Sequence, residues 1–314
     1  MLLRSGDNLT DYIIRFVNSS NSLFIFVSYI KLEPLKKILA KDGICKAIIV
    51  RWEPKDLLEG ASDLEVFRYC KENDIALYRN SRLHLKAFID CNRRCIQGSA
   101  NISARALNLD YSDKYNYELA TEISLGVEDK LYFEVIISES TLITDSIYDQ
   151  IKQQLIEFEK GFIKVQDFDL KIVPPDKDFL LSSLPLSHSV ENLIATYNDP
   201  ENRCSQDIDC MVHDLALYKI PLGLNEKEFI SHLKSAFFSH SFIQAFLAEL
   251  HRHGEMYFGR VKEWIHSNCT NVPLPRRWEI TENIEILYNW INAFGGNKYV
   301  IDRPNHSQRV RYLG

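Results

Sequence analysis

The sequence predicts an α/β protein, a mixed sheet flanked by helices, followed by a mainly helical C-terminal domain. Three observations carry that prediction. Through the first 125 residues, apolar β-rich runs alternate with stretches of helical periodicity. From Asn225 the pattern turns helical, is broken by polar or Gly-containing joints, and ends in two short β-like runs. Composition is that of a globular protein, 46% hydrophobic and 25% charged over 314 residues.

In chain order, Ser22–Ile30 (SLFIFVSYI) reads as a buried strand, far short of the roughly 18 apolar residues a membrane helix needs. A short helix follows at Glu33–Ala40, with Pro34 in its first turn. Cys45–Trp52 is a second strand. Ser62–Asn73 is amphipathic, with Leu64, Phe67 and Cys70 at helical spacing. Ile75–Tyr78, Leu83–Ile89 and Glu118–Leu125 complete the strands, and Ser138–Lys160 carries a long helical pattern. The Pro-, Asp- and Ser-rich stretches at 173–178 and 197–209 suggest a surface connector. Four helices are expected at Glu226–Phe238, Ser241–His251, Tyr257–Ser267 and Thr281–Phe294, the last stopped by Gly295-Gly296. A hairpin of Lys298–Arg303 and Gln308–Leu313 closes the chain. The expected division is therefore 1–165, an acidic connector at 166–224, and 225–314. The last part is either a winged helix, whose Arg303, Arg309 and Arg311 would touch phosphate, or a small helical docking or dimerisation domain.

The N-terminus lacks an apolar signal core, and seven cysteines at irregular spacing suit a reducing compartment, so a cytoplasmic location without membrane attachment is expected. The formal charge of −6 is unevenly spread. Residues 1–125 hold 18 basic and 16 acidic residues, 126–250 hold 10 and 21, and 251–314 hold 9 and 6. Non-specific coating of nucleic acid is disfavoured, whereas a local nucleic-acid site in the first or last segment is not.

One segment concentrates the chemistry: LHLKAFIDCNRRCIQGSANISARAL, residues 83–107. His84 and Lys86, two apart in a β-like run, project from one face. Gly98-Ser99-Ala100-Asn101 then precedes a helical pattern expected to open at Ile102. An imidazole, an ammonium, a hydroxyl, a carboxamide and a helix N-terminus together suit a phosphate.

His84-x-Lys86 followed by Gly98-Ser99-x-Asn101 resembles the HxK…GSxN signature of the phospholipase D superfamily. Asn116-Tyr117-Glu118-Leu119 is similar to the family strand whose acid orients the catalytic histidine. The likeness runs from about Ser22 to Leu125. Arg51-Trp52 and Gly60–Asp63 resemble most the bacterial nucleases of that superfamily, including metal-independent restriction endonucleases fused to a DNA-reading domain. Two departures stand out. Asp90 follows the lysine after three residues rather than four. A single HxK is present on a strand, because the second one, His232-x-Lys234, falls in a helical pattern where the side chains diverge.

The resemblance implies a phospholipase D-like fold and a nuclease without cofactor or metal, acting on DNA before RNA. A homodimer would share each active site. His84, Lys86, Asn101 and Glu118 would be catalytic, with Ser99 and Gly98 on the phosphate. Arg51 would contact substrate or snorkel over a packed Trp52, and Arg93 and Arg94 would contact nucleic acid or be solvated turn charges. Arg276 and Arg277 would bind DNA or a partner, or be solvated. A defence or restriction setting, with protein partners in a multi-subunit system, follows from the resemblance alone. The competing readings are a nucleic-acid-binding subunit with a silent or partner-activated site, and a lipid phosphodiesterase. Cys204, Cys210 and His213 offer three zinc-type ligands without a fourth.

Overall fold

A computed structural model describes residues 1–40, 43–91, 93–160, 170–173 and 179–314. The first elements are β1 (Leu2–Arg4), α1 (Leu9–Ser19), β2 (Leu23–Val27), α2 (Leu32–Ile38), β3 (Cys45–Val50), α3 (Pro54–Leu58), α4 (Val66–Glu72) and β4 (Ala76–Arg79). They continue with β5 (Lys86–Asp90), β6 (Arg94–Gly98), β7 (Leu119–Ser124), α5 (Val127–Ser138), β8 (Thr141–Leu142) and α6 (Asp145–Glu159). The remainder comprises α7 (Val190–Asn198), α8 (Ser205–Leu217), α9 (Glu226–Ser239), α10 (Ser241–His253), β9 (Glu255–Tyr257), α11 (Phe258–Asn268), α12 (Arg277–Gly295), β10 (Tyr299–Asp302) and β11 (Arg309–Tyr312). No helix among the described residues is long and apolar enough to cross a membrane.

The chain divides into two compact units, Met1–Gly126 with Glu139–Asp176, and Val127–Ser138 with Lys177–Gly314. The first is a mixed α/β sheet flanked by helices, in the strand order β1-β7-β6-β5-β2-β3-β4-β8. Strands β2, β3 and β4 are parallel, while β5, β6, β7 and β1 run antiparallel, each to its neighbour. The central β2 is apolar along its whole length, and Leu23, Ile25, Phe26 and Val27 are fully buried, as both faces of a covered sheet require. Helix α1, which the sequence reading passed over, buries Leu9, Ile13, Phe16 and Val17 along one stripe.

The second unit is mainly helical, with a three-stranded sheet in the order β10-β11-β9. Its core is aromatic: Phe229, Phe237, Phe242, Phe246 and Trp290 are fully buried. The succession α10-β9-α11-α12-β10-β11 adds a strand, β9, to the helices and hairpin expected from the sequence. Helix α12 stops at Gly295, with Gly296 at φ 57, where a glycine is needed.

Two sequence expectations differ here. The stretch read as a connector, 166–224, contains α7 and α8, whose Val190, Leu193, Ile208, Met211, Val212 and Leu215 enter the second core; 161–169 and 174–178 lie outside the described residues. The single helix expected over Ser138–Lys160 is instead the short strand β8 followed by α6, and α5, which no sequence expectation covers, ends at Ser138 where that range begins. Thr144 caps α6 by accepting the Ile147 N–H at 3.4 Å. Helix α5 belongs to the second unit, where Lys130 forms an ion pair with Asp209 of α8.

A buried charge cluster anchors that unit. Asp214 accepts the Leu186 N–H at 2.8 Å and the Ser187 N–H at 2.9 Å. His213 places Nδ1 2.9 Å from the Asp214 carboxylate and Nε2 3.0 Å from the Ser182 carbonyl. Both partners are acceptors, so only the doubly protonated imidazolium satisfies both. Burial opposes that charge, but the hydrogen bond to Asp214 and the negative charges of Asp214 and Glu134 outweigh it and raise the His213 pKa. A raised histidine pKa stabilises the fold below ~6.5, and the contribution is lost as pH rises through the folded value. Urea unfolding followed by tryptophan fluorescence should therefore show the second unit weakening between pH 6 and pH 9. Asp214→Asn should cost about 3 kcal/mol and flatten that pH dependence.

Candidate active site

Sheet direction gathers the predicted residues. Because β5 runs antiparallel to β2, the start of β5 lies beside the end of β2, with Val27 opposite Lys86. Ala87 faces Gln97, and Gly98 faces Ala120, so β6 ends and β7 begins at the same sheet edge. The parallel β3 delivers Arg51 there as well. This is the carboxyl end of the parallel strands, where α/β proteins build their sites.

Lys86 opens β5, and His84 precedes it in a segment outside the ladder rather than within a strand. The two still meet. Lys86 Nζ lies 3.5 Å from His84 Nε2, donates to the His84 carbonyl at 2.9 Å, and donates to Ser28 Oγ at 3.4 Å. Asn101 Oδ1 accepts the Tyr29 N–H at 3.0 Å, which fixes the carboxamide and leaves its Nδ2 as the donor end. Burial lowers the Lys86 pKa, the positive charge of Arg51 lowers it further, and Glu118 opposes both.

The helix expected at Ile102 does not form; residues 103–110 are a run of turns. Ile102 pairs with Ile30 in a parallel bridge, its N–H donating to the Tyr29 carbonyl at 3.3 Å and its carbonyl accepting from Lys31 at 2.9 Å. Those groups are thereby unavailable to a first helical turn, and the cradle consists of side chains and loop backbone. Gly98 is required by close approach, because a Cβ there would collide with the Leu119 carbonyl and with Ala120.

Glu118 does not hold His84. Its carboxylate accepts from Ser99 Oγ and, at 3.4 Å, from Asn116 Nδ2, while its N–H donates to Ser5 Oγ at 2.8 Å. Arg51 is committed to a bidentate pair with Asp56, at 2.9 and 2.6 Å, and donates to the Tyr29 hydroxyl at 2.8 Å. Its hydrogen bond to Asp56 raises its pKa still further above the physiological range, and Trp52 beside it is fully buried. Ser28, Tyr29 and Asp56 were missed from sequence. Two of them stand directly after the most apolar strand, and that position was the available signal.

Other predicted residues lie elsewhere. Arg93 and Arg94 sit at the opposite end of the β5–β6 hairpin from Lys86, four residues or ~14 Å away along the strand. Arg94 pairs there with buried Asp90 at 2.6 Å, which ends the strand. In the second unit, Arg309 pairs with Asp302 at 2.8 Å and Glu255 at 2.9 Å, Arg311 pairs with Asp302 at 2.9 Å, and Arg303 donates to the His306 carbonyl at 3.3 Å. The wing arginines are thus engaged within their own hairpin region. Arg276 and Arg277 are exposed at the start of α12, and Glu282 and Glu285 are exposed further along the helix. Among the described residues no group of three or more His, Cys, Asp or Glu side chains is placed to hold a metal. Cys204 caps α8 rather than joining His213, accepting from the Asp207 N–H.

No family model and no curated protein matches the chain. Among solved structures it is similar to Nuc, a phospholipase D family member from Salmonella typhimurium, at 14% identity over 46% of this chain and 99% of that one, with a TM-score of 0.37. It is similar to NucT from Helicobacter pylori at 15% identity over 46% and 100% of the two chains, TM-score 0.35. The phosphatidylserine synthase of Haemophilus influenzae Rd KW20 gives 15% identity over 56% and 46%, TM-score 0.38.

Two measurements test the geometry. Lysine side-chain NMR should find Lys86 titrating below ordinary lysines, and Arg51→Gln should move it upward by removing a neighbouring positive charge. Gly98→Ala should destabilise the first unit by about 1–3 kcal/mol in chemical denaturation, by forcing β6 from β7.

Proposed function

We propose that the chain is a metal-independent phosphodiesterase of the phospholipase D type, a nuclease acting on DNA before RNA, with a site completed by a second copy of the chain. The observation that carries this reading is the meeting of His84 with Lys86 at the sheet end where Asn101, Ser99 and Glu118 also converge. A phosphodiester resists attack because its oxygens are anionic. The Lys86 ammonium and the Asn101 Nδ2 donor neutralise and hold those oxygens as charge builds on them, whereas Ser99, expected on the phosphate, has its hydroxyl on Glu118 and its N–H on the Leu119 carbonyl.

Neutral His84 attacks phosphorus and forms a P–N bond as the leaving oxygen departs. The second copy's His84, protonated, gives that oxygen its proton and then takes one from water. Water breaks the P–N bond, which releases the phosphate ester and regenerates both imidazoles. A second copy is needed because His232 and Lys234 lie on α9, where residues two apart diverge, and cannot supply the other half. The pair would titrate as one coupled system.

One observation favours a second reading, a nucleic-acid-binding subunit with a silent site: Ser99, not His84, occupies the Glu118 carboxylate. Labelled DNA and RNA incubated with the protein in EDTA separate the two. The nuclease reading expects cleavage in chelator, a loss of roughly 10³-fold or more in His84→Ala, and a dimer in sedimentation. Cleavage only with added divalent metal would overturn the chemistry, and an active monomer would overturn the shared site. Binding without turnover, unchanged by His84→Ala, would favour the subunit.

A further inference from the structure

Asp56 is a buried carboxylate at the candidate-site end of the first unit, and the proposed chemistry gives it no part. It lies in α3, and its side chain is 5% exposed. Its Oδ2 accepts the Glu53 N–H at 3.1 Å, which closes the start of α3 as a capping box does. Capping accounts for that bond alone. The same carboxylate takes two more bonds from Arg51, Nε to Oδ2 at 2.9 Å and Nη2 to Oδ1 at 2.6 Å.

Arg51 directly follows β3, and its side chain is 17% exposed. Its guanidinium donates to the Tyr29 hydroxyl at 2.8 Å and lies over the Tyr29 ring, with Cζ 4.8 Å from the centroid. The fork is therefore fixed at three points, two on Asp56 and one on Tyr29. Tyr29 in turn stands among the polar contacts of the site. Its N–H holds the Asn101 carboxamide at 3.0 Å, and the preceding Ser28 accepts from Lys86 at 3.4 Å.

Released from Asp56, this guanidinium would act in two ways. As a fork of N–H donors it would compete with Lys86 and Asn101 for phosphate oxygens. Its charge, no longer balanced, would also weigh on the Lys86 ammonium. The titratable groups near Lys86 are His84, 3.5 Å from its Nζ, together with Arg51 and Glu118. Burial lowers the Lys86 pKa most, Arg51 lowers it further, and Glu118 raises it. Those facing Arg51 are Asp56, Tyr29 and Glu53, whose carboxylate lies 3.8 Å from Nε. Glu53 is half-exposed and screened by solvent, which leaves buried Asp56 as the balancing charge.

We infer that Asp56 is a positioning residue of this site, clamping Arg51 against Tyr29 and cancelling its charge so that Lys86, and not Arg51, is the cation that meets the substrate. The consequence for turnover rests on the phosphodiesterase reading, whereas the consequence for Lys86 does not.

Asp56→Asn keeps the size of the side chain and an oxygen for the Glu53 N–H, but carries no charge. Lysine side-chain NMR on the full chain should find Lys86 titrating at lower pH in Asp56→Asn than in the wild type. In the double variant Asp56→Asn with Arg51→Gln, it should titrate as in Arg51→Gln alone, because no guanidinium is left to control. Should the unpaired arginine unfold the single variant, the two variants that lack Arg51 decide whether Asp56 acts through it. With a labelled oligonucleotide in EDTA, the alkaline limb of kcat should move to lower pH in Asp56→Asn. The loss should be roughly tenfold or more at pH 9 and smaller at pH 7, and the double variant should restore the limb. A merely structural role would lower kcat alike at every pH. An unmoved Lys86 in Asp56→Asn, a further shift when Asp56→Asn is added to Arg51→Gln, or a uniform loss across pH would each overturn the inference. A wild type inert in chelator would overturn the phosphodiesterase reading alone, and the Lys86 titrations would still decide the role of Asp56.

Discussion

The antiparallel pairing of β5 with β2, with Lys86 opposite Val27, is the constraint on which the arrangement of the first unit's candidate site depends. A slip of one residue would turn Lys86 to the other face of the sheet and separate it from Ser28. The register is held by burial: Ala87, Phe88 and Ile89 of β5 and Ile25, Phe26 and Val27 of β2 are all in the core. The polar residues follow at the point where this apolar pairing ends. Packing thus sets the position, and the sheet edge gathers side chains from segments more than ninety residues apart in sequence.

The strands and the His84–Lys86 proximity were readable in the sequence because a spacing of two survives even though His84 lies outside the ladder. The helix at Ile102 was misread because its periodicity is real but its backbone groups are taken by 29–31, and such a long-range competitor leaves no local trace. Helix α5 escaped notice because LYFEVII is apolar on every side and shows no helical stripe. Helices α7 and α8 were hidden by the Pro, Asp and Asn residues between them, which mark a joint rather than a connector. The pairing of Arg309 and Arg311 depends on Asp302 and Glu255, which stand opposite them in the neighbouring strands and become visible only once β9 is known to join the hairpin.

Electrostatics distinguishes the two units in kind. The candidate-site end of the first holds positive charge, with Arg51 buttressed by Asp56 and Lys86 partly desolvated. In the second, Lys130, Arg252, Arg309 and Arg311 are paired with acids, and α12, whose buried side enters the core, shows Arg276, Arg277, Glu282 and Glu285 to solvent.

Helix α5 carries a consequence for how the protein is made. The chain leaves the first unit after Gly126, contributes one helix to the second, and returns at Glu139. During synthesis from the N-terminus, α5 emerges well before α8, the helix that it packs against, and its apolar sides have no cover until the later residues appear. The two units are therefore not beads on a string that a nick near residue 165 would release intact. Such a cut would leave α5 tethered to one fragment while its packing partner belongs to the other. The interleaving makes the fold of the second unit conditional on the continuity of the whole chain.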